Sequence, residues 1–572
     1  MSSLDLFLAK LRGLKINLSV DGDQLVCRAP KGVMTSELSA SITAQKVEII
    51  DFLKSAKQAV TKEKKIVKSD SEPALSFSQN RLWFLYELEG PSSTYNMPLG
   101  LKLQGDFDRI CFENALNTII ERHESLRSNF YKSPTGPKLA IAKQKTCSID
   151  WIDLLSDPTR DLKEIIAQFN QSTFNLSSDL LIRALLIRTK PDTHYVFILL
   201  HHIIADGWSI GVLFDELRTI YSALVEGSPA SLSPIEIQYS DYSKWLEEEL
   251  KGDRLEVLLS YWKTKLANCP DCITLFTDYP RPNHLSYSGN TAVYQLSTSL
   301  SNAIKDLAQA SNCTLYMALL AGFSILLANH SNQDDLVIGS PVANRNQTDI
   351  EKLIGLFINT LPLRFNLSGN PTVTELLGQV RKTCIEGFDH QEIPFEKIVE
   401  EINPPRSLNH APLYQVSFDL QTKDPESSLF AGLKIENLDP ENTSAKFDLS
   451  LTITDENDGL SCAWNYANDL FNLDTIQLMA QRFDRLLTQM VANPNQHIRD
   501  INLLGENEKR QFLDQIKNTQ FELPSIPTFL DQLTQHALSM PDRIAVSFEN
   551  AYISYQELDL SLIHISEPTR PY

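Results

Sequence analysis

The residues of this chain best suited to proton chemistry are two adjacent histidines followed at fixed distance by an acid and a glycine, His201-His202-Ile203-Ile204-Ala205-Asp206-Gly207. An imidazole of ordinary pKa, about 6.5, is largely neutral at pH 7 and accepts a proton or a hydrogen bond from an amine. That suits transfer of an acyl group from a thioester to an amine. Adjacent side chains of an extended segment point to opposite sides, so His202 is assigned to a reaction channel and His201 to packing or hydrogen bonding in its wall. Gly207 permits a tight turn or the close passage of a substrate arm. Asp206, if buried, needs a partner, because an isolated buried carboxylate is costly. The competing readings of the pair are satisfied core histidines or a partial metal site. No further ligand stands nearby, and Cys269-Pro270-Asp271-Cys272 has no second pair to complete four zinc ligands, so no metal is expected.

The elements that must hold this loop are legible on both sides of it. Tyr195 to Leu200 is a nearly unbroken apolar run suited to a buried strand. Ser209 can cap a helix whose Ile210, Leu213, Phe214, Leu217 and Leu224 share one face. Strand, polar loop, helix is a usual setting for a catalytic residue. The same alternation of β-rich runs and amphipathic helices continues over residues 74–500, the pattern of α/β layers. Leu315 to Ala328 is too short for a bilayer, which takes about 20 residues, and reads as a buried core helix.

At 572 residues the chain is long enough for several domains, and 42% apolar with 22% charged residues is ordinary for a soluble globular protein. A formal charge of −20 speaks against a nucleic-acid binder. No secretory signal opens the chain, so a cytoplasmic protein without a membrane partner is expected. In residues 1–55 a helical stretch (Leu4, Phe7, Leu8, Leu11) leads to alternating Leu14, Ile16, Leu18 and Val20. A turn at Asp21-Gly22-Asp23 then gives Gln24 to Arg28, and a second helical stretch comes after Pro30-Lys31-Gly32. So small a core often needs a dimer or a partner. Residues 56–73, with Lys62, Lys64, Lys65 and Lys68, read as a linker with almost nothing to bury. Residues 501–525 read as a second linker. Residues 526–559 begin a separate unit, with a turn at Glu549-Asn550. Residues 560–572 look like a translated transposase-type sequencing adapter without biological meaning, which would make the natural protein longer.

His201 to Ser209 resembles the signature of the condensation domains of nonribosomal peptide synthetases, and further motifs succeed one another in that family's order. They are Leu75-Ser76-Phe77-Ser78-Gln79-Asn80-Arg81-Leu82-Trp83, Arg122-His123-Glu124-Ser125-Leu126-Arg127, and Tyr239-Ser240-Asp241-Tyr242 with Trp245. Next come Ile354-Gly355-Leu356-Phe357-Ile358-Asn359-Thr360, His390-Gln391 to Pro394-Phe395-Glu396, and Pro412-Leu413-Tyr414-Gln415-Val416. Residues 1–55 resemble N-terminal docking domains of the tubulysin-synthetase type, from Leu8-Ala9-Lys10-Leu11 through Arg28-Ala29-Pro30-Lys31-Gly32. Ser554-Tyr555-Gln556-Glu557-Leu558 resembles the first motif of an adenylation domain, most of which is absent.

The resemblance implies an α/β fold of two chloramphenicol-acetyltransferase-like lobes in a V (residues 74–245 and 246–500), preceded by a small α/β docking domain. A tunnel between the lobes would receive thioesters on the phosphopantetheine arms of two carriers, with no cofactor bound by the chain itself. His202 would meet the attacking amine, as general base or by orienting it. Asp206 would pair with an arginine: Arg122 first, with Arg127 and Arg345 behind it. Asn359 is a candidate tunnel residue. Arg28 and Lys31 are candidates for receiving an acidic tail of an upstream carrier protein, with a downstream peptidyl carrier as second partner and a homodimer possible through the docking domain. The His-His wording disfavours the heterocyclising subtype and looks most like the subtype joining two L-configured units or accepting a polyketide-derived chain. A free-standing acyltransferase using coenzyme A, and a non-catalytic recruiting module, are the alternatives. The docking-like start and adenylation-like end oppose the first, and the intact motif opposes the second.

Overall fold

The computed structural model describes residues 17–21, 24–28, 46, 65–157, 159–284, 286–405, 407, 409–422, 432–438, 444–456, 458–518 and 528–566. Near the N-terminus, β1 (Asn17–Asp21) and β2 (Gln24–Arg28) form the expected hairpin, antiparallel with Asp21 opposite Gln24. The first helical stretch expected beside it lies outside the described residues, and of the second residue 46 alone is described, in helical conformation.

The first lobe runs through α1 (Phe77–Glu89), β3 (Asn96–Gln104), α2 (Arg109–Arg122), the hairpin β4 (Ser128–Ser133) and β5 (Gly136–Ile141), β6 (Ile149–Asp153), α3 (Leu162–Asn170), β7 (Ile182–Lys190), β8 (Thr193–His201), α4 (Gly207–Glu226) and α5 (Tyr239–Glu249). The second lobe adds α6 (Asp253–Lys265), β9 (Gly289–Gln295), α7 (Thr298–Ala310), α8 (Leu315–Ser331), β10 (Asp335–Val342), α9 (Thr348–Glu351), β11 (Asn359–Asn366), α10 (Val373–Asp389), α11 (Phe395–Ile402), β12 (Val416–Thr422), β13 (Lys434–Leu438), β14 (Leu449–Glu456), β15 (Gly459–Ala467) and α12 (Leu473–Ala492). Each lobe is built on one mixed sheet, of order β13-β3-β8-β7-β6 in the first and β11-β10-β12-β14-β15-β9 in the second. β8 is central and buried along almost its whole length, which is why its sequence is a continuous apolar run instead of an alternating one. α8 is buried on nearly every side against α7, α10 and α12, as its all-round apolar sequence requires. Among the described residues no single helix is long and apolar enough to cross a membrane.

Three features differ from the sequence expectation. β13 comes late in the chain yet pairs with β3, Leu438 opposite Gly100, so a strand from the second lobe's sequence completes the first lobe's sheet. The described end of the first expected linker is packed: Ile66 is 1% exposed, and Ser69 N–H donates to Asp241 Oδ1 at 2.8 Å. Within the second expected linker, residues 506–518 form a helix, α13 (Glu506–Asn518).

Residues from Leu503 onward form a separate compact unit. There α14 (Phe529–Ser539) precedes the hairpin β16 (Ile544–Phe548) and β17 (Ala551–Ser554), and α15 (Tyr555–Ser566) comes next. The hairpin turns at Glu549, whose φ of 50° lies in the left-handed region, beside Asn550. Ser554 Oγ accepts the Glu557 N–H, and the Glu557 carboxylate accepts the Ser554 N–H, a reciprocal cap for α15.

Candidate active site

The histidine loop begins where β8 stops. His201 N–H donates to Leu181 O at 3.0 Å, and His202 N–H donates to Tyr95 O at 2.8 Å. Residues His202–Ile204 then make one 3₁₀ turn, so the two rings part because the backbone changes direction between them, not because they alternate along a strand. His201 is buried; its Nδ1 accepts the Ile203 N–H at 3.2 Å, and its ring meets Phe174 edge-on. His202 is half-buried, with Nδ1 2.9 Å from Ala205 O. A carbonyl oxygen only accepts, so Nδ1 carries the proton and Nε2 keeps a bare lone pair. Among the described residues Nε2 has no hydrogen-bond partner. Gln79 Nε2 donates to Ile203 O at 3.0 Å and pins the turn from α1. Burial and the neighbouring His202 and Lys446 push His201 down to about 3. Burial and then the Lys446 ammonium push His202 down to about 4. Both rings are therefore neutral at pH 7.

Asp206 anchors the start of the next helix. It is the N-cap of α4, and its Oδ1 accepts the Ser209 N–H at 2.8 Å, so the helix starts at Gly207 with Asp206 capping it, and the expected cap, Ser209, is its third residue. The carboxylate, 1% exposed, takes four further donors: Ser209 Oγ at 2.7 Å, Arg345 Nη2 at 3.2 Å, and the N–H groups of Phe357 (2.8 Å) and Ile358 (3.1 Å). The last three come from the second lobe. Arg345 is buried as well and donates to Ile350 O (2.6 Å) and Leu353 O (2.8 Å), with its guanidinium 4.0 Å from the Phe357 ring centroid.

The arginine partner is thus Arg345, not the first choice, Arg122. The Arg122 guanidinium turns to Glu216, at 3.1 and 2.9 Å, and to Ser233 O. Arg127 is spent on Ala142 O and Glu121 O. Asn359 is not free for a substrate either. Its amide nitrogen donates to Gln391 O (2.8 Å) and Ile393 O (2.7 Å) and its oxygen accepts the Phe395 N–H (3.0 Å), so it clamps the loop ahead of α11. Gly207 lies outside the left-handed region, and a Cβ there would meet nothing within 4 Å. It lines, with Trp208, Gly211, Val342 and Ile358, a cleft of about 1710 Å³. Arg28 ends β2 opposite Asn17, and its side chain, like all of Lys31, lies outside the described residues.

The motifs that recur in order along the sequence converge on the segment 354–358. Ser125 Oγ donates to Ile354 O, His123 Nδ1 accepts the Ile354 N–H, and Ser209 Oγ accepts the Gly355 N–H. Tyr239 OH donates to Leu356 O at 2.6 Å. Residue 355 must be glycine for this, since a Cβ would fall 2.1 Å from the Tyr239 ring. No motif marks Lys446, whose Nζ lies 5.2 Å over the ring of Tyr95, the residue whose carbonyl accepts the His202 N–H.

Residues 70–513 match the profile of the Condensation domain family, and residues 5–55 that of the TubC N-terminal docking domain. Malpinin synthetase of Mortierella alpina is 38% identical over 496 residues, covering 86% of this chain and 6% of its own length. One of the linear gramicidin synthase proteins of Brevibacillus parabrevis is 39% identical over 500 residues, again 86% of this chain and 6% of its own. The chain therefore spans a small fraction of these relatives. Among solved structures, the X-domain from teicoplanin biosynthesis superposes with a TM-score of 0.71 at 26% identity, over 77% of this chain and 99% of that one.

Asp206→Ala leaves the Arg345 guanidinium buried without a counter-charge and strands three backbone N–H groups, those of Ser209, Phe357 and Ile358. The expected loss is about 3–5 kcal/mol, read as a lower midpoint in urea. His202→Ala trims a half-buried ring and should leave the midpoint near that of the wild type. Equal losses in the two variants would contradict the structural role of Asp206.

Proposed function

The chain belongs to the condensation-domain family of nonribosomal peptide synthetases, and from that premise we propose the reaction its site performs. It transfers an acyl or peptidyl group from the thioester of an upstream carrier to the amine of an aminoacyl unit on a downstream carrier. Both substrates arrive on phosphopantetheine arms, and the chain holds no cofactor of its own. The observation that carries this reading is the 2.9 Å contact of His202 Nδ1 with Ala205 O: the carbonyl can only accept, so the proton stays on Nδ1 and Nε2, without a hydrogen-bond partner among the described residues, is left as an acceptor.

The amine lone pair forms the C–N bond while the carbonyl π pair moves to oxygen. When the carbonyl re-forms, the C–S bond breaks and sulfur leaves with the electron pair. A base lowered to about 4 takes a full proton from an amine reluctantly. The part of His202 is accordingly to hold and orient the amine through a hydrogen bond to Nε2. The proton that nitrogen sheds ends on the departing thiolate, whose conjugate thiol has an ordinary pKa of about 8.5. Fixing the two reactants in line supplies much of the rate.

The match at residues 5–55 supports a docking unit that brings the upstream carrier in trans, with Arg28 and Lys31 meeting an acidic tail by strand addition. Residues 526–559 are read as the opening of an adenylation domain. The hairpin and the reciprocal cap at Ser554 support this.

With both carriers loaded, His202→Ala should lower amide formation roughly 10²–10⁴-fold, read by intact mass of the downstream carrier. A wild type that makes no amide, or a variant near the wild-type rate, would overturn the reading. Deleting residues 1–55 should reduce transfer from a cognate upstream carrier at low concentration and leave it intact when that carrier is fused ahead of Pro73. Undiminished transfer in the two-protein assay would make the unit a structural cap.

A further inference from the structure

The polar face of the second-lobe sheet carries a carboxylate outside the histidine loop and its anchor. Along β12 the side chains alternate: Phe418 is buried in the core against Tyr316 and Phe323, while Ser417, Asp419 and Gln421 lie on the other face. β14 continues that face, with Ser450 opposite Ser417 and Thr452 opposite Asp419. On its other side β12 meets β10 at one pair, Gly339 with Ser417. Beyond that pair the strands part, and Pro341 and Val342 of β10 line the 1710 Å³ cleft together with Asp419 and Leu420 of β12. Gly207 lines the same cleft, so Asp419 shares this space with the end of the histidine loop.

The charge of Asp419 has no counterpart. Gln421 Nε2 donates to its Oδ2 at 2.8 Å, and among the described residues no lysine or arginine pairs with it. The other carboxylates on the cleft are either paired or exposed. Asp206 is met by Arg345 and Glu216 by Arg122, and Asp215, Glu236, Asp349 and Glu351 stand exposed. Asp419 alone among them is half-buried without a cation, and burial raises its carboxyl above the ordinary range. A charge withdrawn from water in this way is best offset by an opposite charge brought to it. Beside it, Pro341, Val342 and Leu420 offer apolar surface on which the carbon stem of a long basic side chain can lie.

We propose that Asp419 is a specificity-determining residue, selecting a substrate unit whose side chain ends in an ammonium or guanidinium group that meets its carboxylate in the cleft. This rests on the condensation reaction proposed above and names the class of unit that reaction takes. A unit of equal length with an apolar end gains nothing from the carboxylate, and an acidic one is repelled by it.

The test is the two-carrier assay with the full chain, read by intact mass. The upstream carrier bears N-acetyl-lysine or N-acetyl-norleucine, and the downstream carrier lysine or norleucine. On the carrier whose unit enters the cleft, lysine should be used roughly ten- to hundredfold better than norleucine, the worth of a hydrogen bond to a charged group. In Asp419→Asn that preference should collapse toward unity, with norleucine transferred as by the wild type. Asp419→Glu, which keeps the charge, should retain a preference for lysine. Should Asn at this position prevent folding, Asp419→Ser is read in the same way. Equal use of the two units on both carriers by the wild type would overturn the inference, as would a preference that survives in Asp419→Asn. So would a loss of norleucine transfer as deep as that of lysine, the mark of a purely structural role. A wild type that forms no amide from any pairing overturns the reaction instead. Selection is then read by calorimetry with N-acetyl-lysyl and N-acetyl-norleucyl pantetheine analogues in which NH replaces the thioester sulfur. The lysyl analogue should bind tighter by the same factor and lose that advantage in Asp419→Asn, and equal affinities in the wild type would overturn the inference.

Discussion

A single buried carboxylate joins the two lobes, and the histidine loop depends on it. Taking Asp206 out of water is repaid only because five donors surround it, three of them from the far lobe. Such bonds to an ionised acceptor are shorter and stronger than neutral ones. The same residue caps α4, so the helix, the 354–358 segment and the Arg345 guanidinium share one fixed point. Ala205 is the residue immediately before it, and the Ala205 carbonyl sets the His202 tautomer. The position of the His202 ring therefore derives in part from an interaction made one residue beyond Ala205, at the Asp206 carboxylate.

That arrangement explains why the site tolerates a weakly basic histidine. A ring held by Tyr95 O, Ala205 O and the Gln79-pinned turn gains little from strong basicity and much from fixed direction. Burial and a neighbouring ammonium make it a poor proton sink but a reliable hydrogen-bond acceptor. Gly207 and Gly211 line the cleft beside the loop.

Much of this was legible from local pattern, and the remainder depended on pairings distant in sequence. The strand before the histidines, the helix after them, the docking hairpin and the buried Leu315 helix each follow from periodicity within a few residues. The identity of the arginine does not: Asp206 and Arg345 are 139 residues apart, and Arg122, Arg127 and Arg345 look alike from the sequence alone. Asn359 stands in a motif for its role in clamping residues 391–395, which its position on the chain does not reveal. Ser209 suggested a cap because serine favours that position, yet aspartate does too, and Asp206 comes first. β13 is not legible in the sequence, because a five-residue strand carries no signal of which sheet it joins. The available hint for Lys446 was its place as the lone cation of Ser444–Ser450, directly ahead of a strand.

The claim at the centre of this account is that Asp206 holds the 354–358 segment across the lobes and so fixes the histidine loop. Amide hydrogen exchange at Phe357 and Ile358 measures that hold directly. In the wild type both N–H groups should exchange slowly, as bonded and buried amides do. In Asp206→Asn, which keeps the shape and removes the charge, both should exchange much faster while amides in the middle of α12 keep their protection. Unchanged protection at Phe357 and Ile358 in that variant would contradict the account, because the segment would then be held by something other than the carboxylate.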